Sequence, residues 1–208
     1  MTDMICASRA HPRLVMPYVL ACWSGAYVML IEMLGARLLA PWFGNSIHVW
    51  GAVIFTFMLA LSLGYLLGGA LARGRVTVTR LALLLVAGAL ATLPLILLGD
   101  RVLGYLFDMA VDPRYGSLAA ALLLFLPPTL LFGAVSPYAV ALLASSRGRV
   151  GSIVGYLTFW STLGSSLGTL LTAFYLVLWF EVHVIFYGAL GLTLVIAAMT
   201  ILYHRYRR

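Results

Sequence analysis

Apolar stretches recur along the chain, with arginine, aspartate and glutamate gathered mostly at their edges. The longest stretches free of Asp, Glu, Lys and Arg cover 14–31, 38–72, 81–99, 115–146, 150–180 and 182–204. A helix of about 20 apolar residues crosses a bilayer core. These stretches therefore predict helices at 17–40, 48–72, 81–99, 117–144, 152–178 and 184–203. The 38–72 stretch is too long for one crossing, and Ala40-Pro41-Trp42-Phe43-Gly44-Asn45-Ser46 supplies the turn that divides it. Proline lacks an amide donor there and glycine tolerates dihedrals that other residues avoid. In the longest connection, 100–116, Val102, Leu103, Leu106 and Phe107 predict a short interfacial helix. The expected architecture is an all-α integral membrane protein, a single domain of six transmembrane helices over 1–208.

Composition narrows the class further. Of 208 residues 63% are hydrophobic and only 9% charged, and the mean hydropathy is +1.06. A soluble domain carries roughly 25% charged residues, so a soluble enzyme, a disordered tail and a nucleic-acid-binding domain are excluded. The formal charge of +7 comes from 13 basic residues, all arginine, against 6 acidic ones. Ten of the 13 arginines (Arg9, Arg13, Arg73, Arg75, Arg80, Arg147, Arg149, Arg205, Arg207 and Arg208) fall at the termini or in the second and fourth connections. The alternate connections carry Asp100, Asp108, Asp112 and Glu181. The positive-inside rule then predicts that both termini are cytoplasmic. The first apolar run exceeds a signal peptide's and lacks a small-residue cleavage site before Glu32, so a retained helix is expected. Cys6 and Cys22 form neither a disulfide framework nor a metal spacing.

Several residues depart from plain lipid-facing helix. Glu32 lies eight residues before the end of the first helix, roughly 12 Å below it at 1.5 Å per residue. A carboxylate at such a depth costs at least about 2.5–3.5 kcal/mol. It reads either as a proton- or cation-binding site or as a structural hydrogen bond to a neighbouring helix. Arg37, five residues on, points elsewhere around the helix and can snorkel to the interface. Gly64 with Gly68, Gly151 with Gly155, and Gly164 with Gly168 each put two small residues on one helix face, which suits close packing. Ser161, Thr162, Ser165, Ser166, Thr169 and Thr172 make the fifth helix polar, for interhelical bonds or for a lined cavity. Pro94, Pro127, Pro128 and Pro137 interrupt apolar segments, and Gly133-Ala134-Val135-Ser136-Pro137 can break the fourth helix; Pro127, Gly133, Ser136 and Pro137 are the candidate gating positions. Trp42, Phe43, Trp50, Trp179 and Phe180 suit an aromatic belt at the outer interface. His48 and His183 lack ligand neighbours at metal spacing, and no nucleophile–base pair or phosphate-binding glycine pattern is present. A non-enzyme without cofactor or metal is expected.

Taken together, Glu32-Met-Leu-Gly-Ala-Arg37-Leu-Leu-Ala-Pro41-Trp-Phe-Gly44-Asn-Ser46, Trp50-Gly51 and Gly64-Tyr-Leu-Leu-Gly68-Gly69 resemble the membrane part of bacterial spermidine-synthase-like proteins, the fused major-facilitator/spermidine synthase family. Leu126-Pro127, Phe132-Gly133-Ala-Val-Ser136-Pro137-Tyr138 and Ser161-Thr162-Leu-Gly164-Ser165-Ser-Leu-Gly168-Thr169 extend the resemblance over nearly the whole chain. It implies a bundle resembling half of a major-facilitator transporter in a bacterial inner membrane; the helix count and the small-residue faces add the expectation of a homodimer or a separate partner. Family members often carry a soluble aminopropyltransferase-like domain after the membrane helices; here the sequence stops at Arg208, so that chemistry would come from a second polypeptide. Gly69-Ala-Leu-Ala-Arg73-Gly-Arg75 is similar to the major-facilitator loop motif but has Arg73 where the motif usually has an acid. The implied function is transport or membrane-side handling of a small cationic metabolite such as a polyamine. Glu32 would bind the amine or a proton, Arg37 would tune it, and Ser161, Thr162, Ser165 and Thr169 would line the route. The alternative is a non-transporting anchor that recruits a separately encoded spermidine-synthase-like enzyme, with Arg73, Arg75, Arg80, Arg147 and Arg149 in the docking surface.

Overall fold

The computed structural model describes residues 12–109, 112–147 and 150–206, with the side chains of 12–14 and 145–147 left aside. Arg9, Arg149, Arg207, Arg208 and Cys6 therefore lie outside the described residues, as do the side chains of Arg13 and Arg147. The described chain is almost wholly helical, in nine α-helical segments: α1 (Pro12–Phe43), α2 (Ile47–Leu71), α3 (Val78–Ala91), α4 (Leu93–Met109), α5 (Pro113–Gly133), α6 (Val135–Arg147), α7 (Val150–Leu171), α8 (Val177–Trp179) and α9 (Val182–Tyr206). A π-helical turn, Thr172–Leu176, joins α7 to α8. α3 with α4, α5 with α6, and α7 with α8 stack end to end, so six spans are long and apolar enough to cross a membrane. The chain is an all-α polytopic membrane protein. The ends of its spans alternate between an arginine-rich side (Arg73, Arg75, Arg80, Arg205) and a side that carries the acids Asp100, Asp108, Asp112 and Glu181 beside Arg37, Arg101 and Arg114, called the acidic end below.

Local chemistry explains the boundaries. α1 runs through Pro41 and stops at Phe43, because Gly44 takes φ +80° and donates its amide to the Ala40 carbonyl at 2.9 Å. Left-handed backbone of this kind favours glycine as a helix stop. Trp50 Nε1 then donates to Asn45 Oδ1 at 2.8 Å, closing the turn. α3 starts where Thr77 Oγ1 accepts the Arg80 amide, and α5 where Asp112 Oδ1 accepts the Arg114 amide with Pro113 following. Both are ordinary N-caps. The interfacial helix expected within 100–116 is instead the continuation of the third span: α4 extends to Met109 and buries Leu103 completely. Leu95, Gly99 and Leu103 recur on one buried face, while Asp100, Arg101 and Asp108 project from the exposed side.

α1 is the central element. It packs along α7 and also meets α2, α3, α5, α6 and α9. Tyr27, Ile31, Leu34 and Leu39 on α1 are fully buried with Phe57, Phe125 and Phe132 from α2 and α5. Three polar ties fix it. Trp23 Nε1 donates to Thr193 Oγ1 on α9 (2.8 Å), Ser24 Oγ donates to the Phe132 carbonyl on α5 (2.8 Å), and the Tyr27 hydroxyl pairs with Thr92 Oγ1 between α3 and α4 (3.1 Å). Without water as competitor, small-residue packing and such bonds hold membrane helices together.

Candidate functional site

Two of the three glycine pairs pack as expected. A Cβ at Gly164 would land on the Cys22 carbonyl, and one at Gly168 would come within 2.6 Å of the Ala26 carbonyl oxygen, so α7 lies directly on the backbone of α1. Gly64 and Gly68 face Leu130, Ala134 and Pro137 in the same way. The third pair differs: Gly151 and Gly155 are exposed, and a Cβ added at either would meet no atom within 4 Å. They sit on the face of α7 turned away from α1.

Glu32 is half-buried in the first span and makes neither a hydrogen bond nor an ion pair among the described residues. It lies seven residues beyond Gly25, whose neighbours are Ser161 and Ser165 of α7, and residues seven apart share a helix face. Carrying the register of Cys22 on Gly164 and Ala26 on Gly168 forward brings Glu32 to the level of the π-helical turn. Such turns are frequent at functional sites because they disturb the regular backbone bonding. Thr172, the first residue of that turn, has a fully buried hydroxyl without a hydrogen-bond partner among the described residues.

The α7 hydroxyls have a more local arrangement than a lined pore. Ser165 donates to the Ser161 carbonyl at 3.1 Å, Ser166 to Thr162 at 3.0 Å, and Thr169 to Ser165 at 3.0 Å. Each bonds the carbonyl one turn back. Ser161 also reaches Ser136 across to α6, Oγ to Oγ at 3.5 Å, while Thr162 is exposed. The break in the fourth span falls at Ala134, between α5 and α6, and it is packed: Gly133 lies against Leu61 and Gly64, and Pro137 against Gly68. Pro127, by contrast, is exposed within an uninterrupted α5.

Arg37 stands apart from Glu32. It lines a pocket of about 520 Å³ at the acidic end, together with Trp42, Asp100, Glu181 and His183. His183 Nε2 lies 3.7 Å from Asp100 Oδ2. Neither Arg37 nor Glu181 forms an ion pair among the described residues. No group of three or more His, Cys, Asp or Glu able to hold a metal ion occurs among the described residues. Arg37 of the first span thus meets Asp100 of the third, Glu181 in the last connection and His183 of the sixth span, where sequence reasoning had singled out only Arg37. Their shared position at one end of the bundle was the available signal. Of the expected aromatic belt, Trp50, Trp179 and Phe180 are exposed, whereas Phe43 is buried with its ring 5.9 Å from Phe107.

Two apolar cavities of about 700 and 340 Å³ run along α1 between α7 and α9 and share Trp23, Ala26, Gly168 and Leu171. The chain matches no family model, no curated protein and no solved structure.

Proposed function

We propose that the chain forms part of a transporter for a small amine-bearing metabolite, of which a polyamine is the simplest case. The observation that carries this reading is Glu32, an acid within a membrane span that has no protein partner among the described residues. Burying a charge in lipid without a partner is costly, and a transported cation or a proton supplies what the protein does not. In this reading the arginine-rich end faces the cytoplasm, as the positive-inside rule favours, and the acidic end faces outward from a bacterial inner membrane. The exposed Gly151–Gly155 face of α7 suits a second copy of the chain, and two six-span units enclose a pathway better than one.

The test is flux in vesicles reconstituted with purified protein. Spermidine and putrescine uptake should occur with the wild type and fall to the background of empty vesicles with Glu32→Gln, while the folded fraction of the two proteins stays equal. Unchanged flux would sink the role given to Glu32 and favour the anchor reading, in which Arg73, Arg75 and Arg80 dock a cytosolic enzyme.

A further inference from the structure

The acidic-end pocket and the nearer apolar groove adjoin through one short segment. Phe180 and Val184 line the groove, while Glu181, Val182 and His183 between them line the charged pocket. On α1 the sequence of levels is the same: Arg37 and Trp42 belong to the pocket, and Leu30, Tyr27 and Trp23 to the groove below it. At 1.5 Å per residue, Leu30 lies about 10 Å and Trp23 about 21 Å below Arg37. One leaflet contributes about 15 Å of hydrocarbon, half of a core about 30 Å thick. The upper part of the groove, from Leu30 downward, therefore lies at the depth of an acyl chain anchored beside Arg37, and its lower end at Trp23 passes the bilayer midplane.

The charges in the pocket specify the head group. Arg37 offers a guanidinium without an ion-pair partner among the described residues, which suits a phosphate. Glu181 and Asp100 offer carboxylates on the same pocket, and Asp100 is only partly engaged by His183 at 3.7 Å. A purely cationic ligand would meet Arg37 unfavourably, and a purely anionic one would meet the two acids. A head group carrying both a phosphate and a primary ammonium satisfies all of them.

We infer that this end of the bundle holds one phosphatidylethanolamine molecule, its phosphate on Arg37, its ammonium on Glu181 and Asp100, and an acyl chain in the groove between α1, α7 and α9. Gly188 supplies an independent handle. It lines the groove and has no atom within 4 Å of an added Cβ, so Gly188→Leu fills the groove without a backbone clash.

The experiment is native mass spectrometry of the protein released from micelles doped with equal amounts of phosphatidylethanolamine and phosphatidylglycerol. The wild type should retain one ethanolamine lipid in preference to the glycerol lipid by about tenfold, the scale set by one charge-assisted hydrogen bond. Glu181→Gln should erase that preference, Arg37→Met should lower retention of both lipids, and Gly188→Leu should lower retention while keeping the folded mass and charge states. Equal retention of the two lipids by the wild type would overturn the proposal. So would retention unchanged in both Arg37→Met and Gly188→Leu. Free phosphoethanolamine that displaces the lipid as well from Gly188→Leu as from the wild type would reassign the pocket to a water-soluble zwitterion.

Discussion

Single atoms decide the closest contacts in this bundle. Gly164 has no room for a side chain because the Cys22 carbonyl occupies the space, and the obstacle is backbone that cannot rotate away. Gly164→Leu should destabilise the protein by about 1–3 kcal/mol, the usual range for overpacking, whereas Gly69→Ala, on open surface of α2, should be neutral or stabilising by up to about 1 kcal/mol. Unfolding titrations in mixed micelles measure both. Thr129 behaves in the opposite sense: its hydroxyl is fully buried on α5 with no hydrogen-bond partner among the described residues. A buried donor left unpaired is costly, and removing it within the same shape relieves that cost. Thr129→Val should leave stability unchanged or raise it by about 1 kcal/mol in the same titration. The sequence spoke unevenly at this scale. Gly164 and Gly151 belong to identical four-residue spacings, yet only one meets a neighbouring helix, because spacing fixes a face and not its partner.

Helical segments are interrupted where side chains compensate the backbone. Between α3 and α4, Thr92 Oγ1 donates to the Ala89 carbonyl at 2.6 Å and meets the Tyr27 hydroxyl, while Pro94 enters the new helix in its first turn. The Tyr27 ring also stacks on Phe132 at 4.3 Å. Tyr27→Phe keeps the stacking and removes the bond, so it should cost about 0.5–1.5 kcal/mol. Faster amide exchange confined to the α3–α4 junction should accompany the loss. The positions of the spans were legible because lipid demands about 20 apolar residues in a row. The full length of the third was not: Asp100 and Arg101 end the uncharged run, but they occupy only the exposed side of a helix whose other side continues through Gly99 and Leu103 to Met109. The hydroxyls of α7 were equally ambiguous. A row of serines and threonines is compatible with interhelical bonds or with a lined cavity, and donation to a carbonyl one turn back leaves each hydroxyl oxygen able to accept in either role.

At the scale of the whole molecule, the acidic-end pocket shows why a site can escape a linear reading. Arg37 on the first span, Asp100 on the third and Glu181 just before the sixth are widely separated in the chain, and each alone is an ordinary charge at a helix end. They become a unit only because α1, α4 and α9 converge there. The orientation of that unit can be measured directly. Gly44 and Gly74 are exposed, lie in connections at opposite ends, and have either no neighbour within 4 Å of an added Cβ or only the Arg80 side chain at 3.7 Å. A cysteine at Gly74 introduces no strain; for the acidic end Asn45 is the better site, since Gly44 needs its positive φ. In a background with Cys6 and Cys22 replaced by serine, Asn45→Cys should react with a membrane-impermeant maleimide in intact cells. Gly74→Cys should react only after the membrane is opened. The reverse pattern would put the arginine-rich end outside, against the positive-inside rule, and would turn the lipid pocket toward the cytoplasmic leaflet. Labelling of both positions in intact cells would mean that the chain inserts in two orientations, so that the acidic-end pocket would open to both leaflets rather than to the outer one alone.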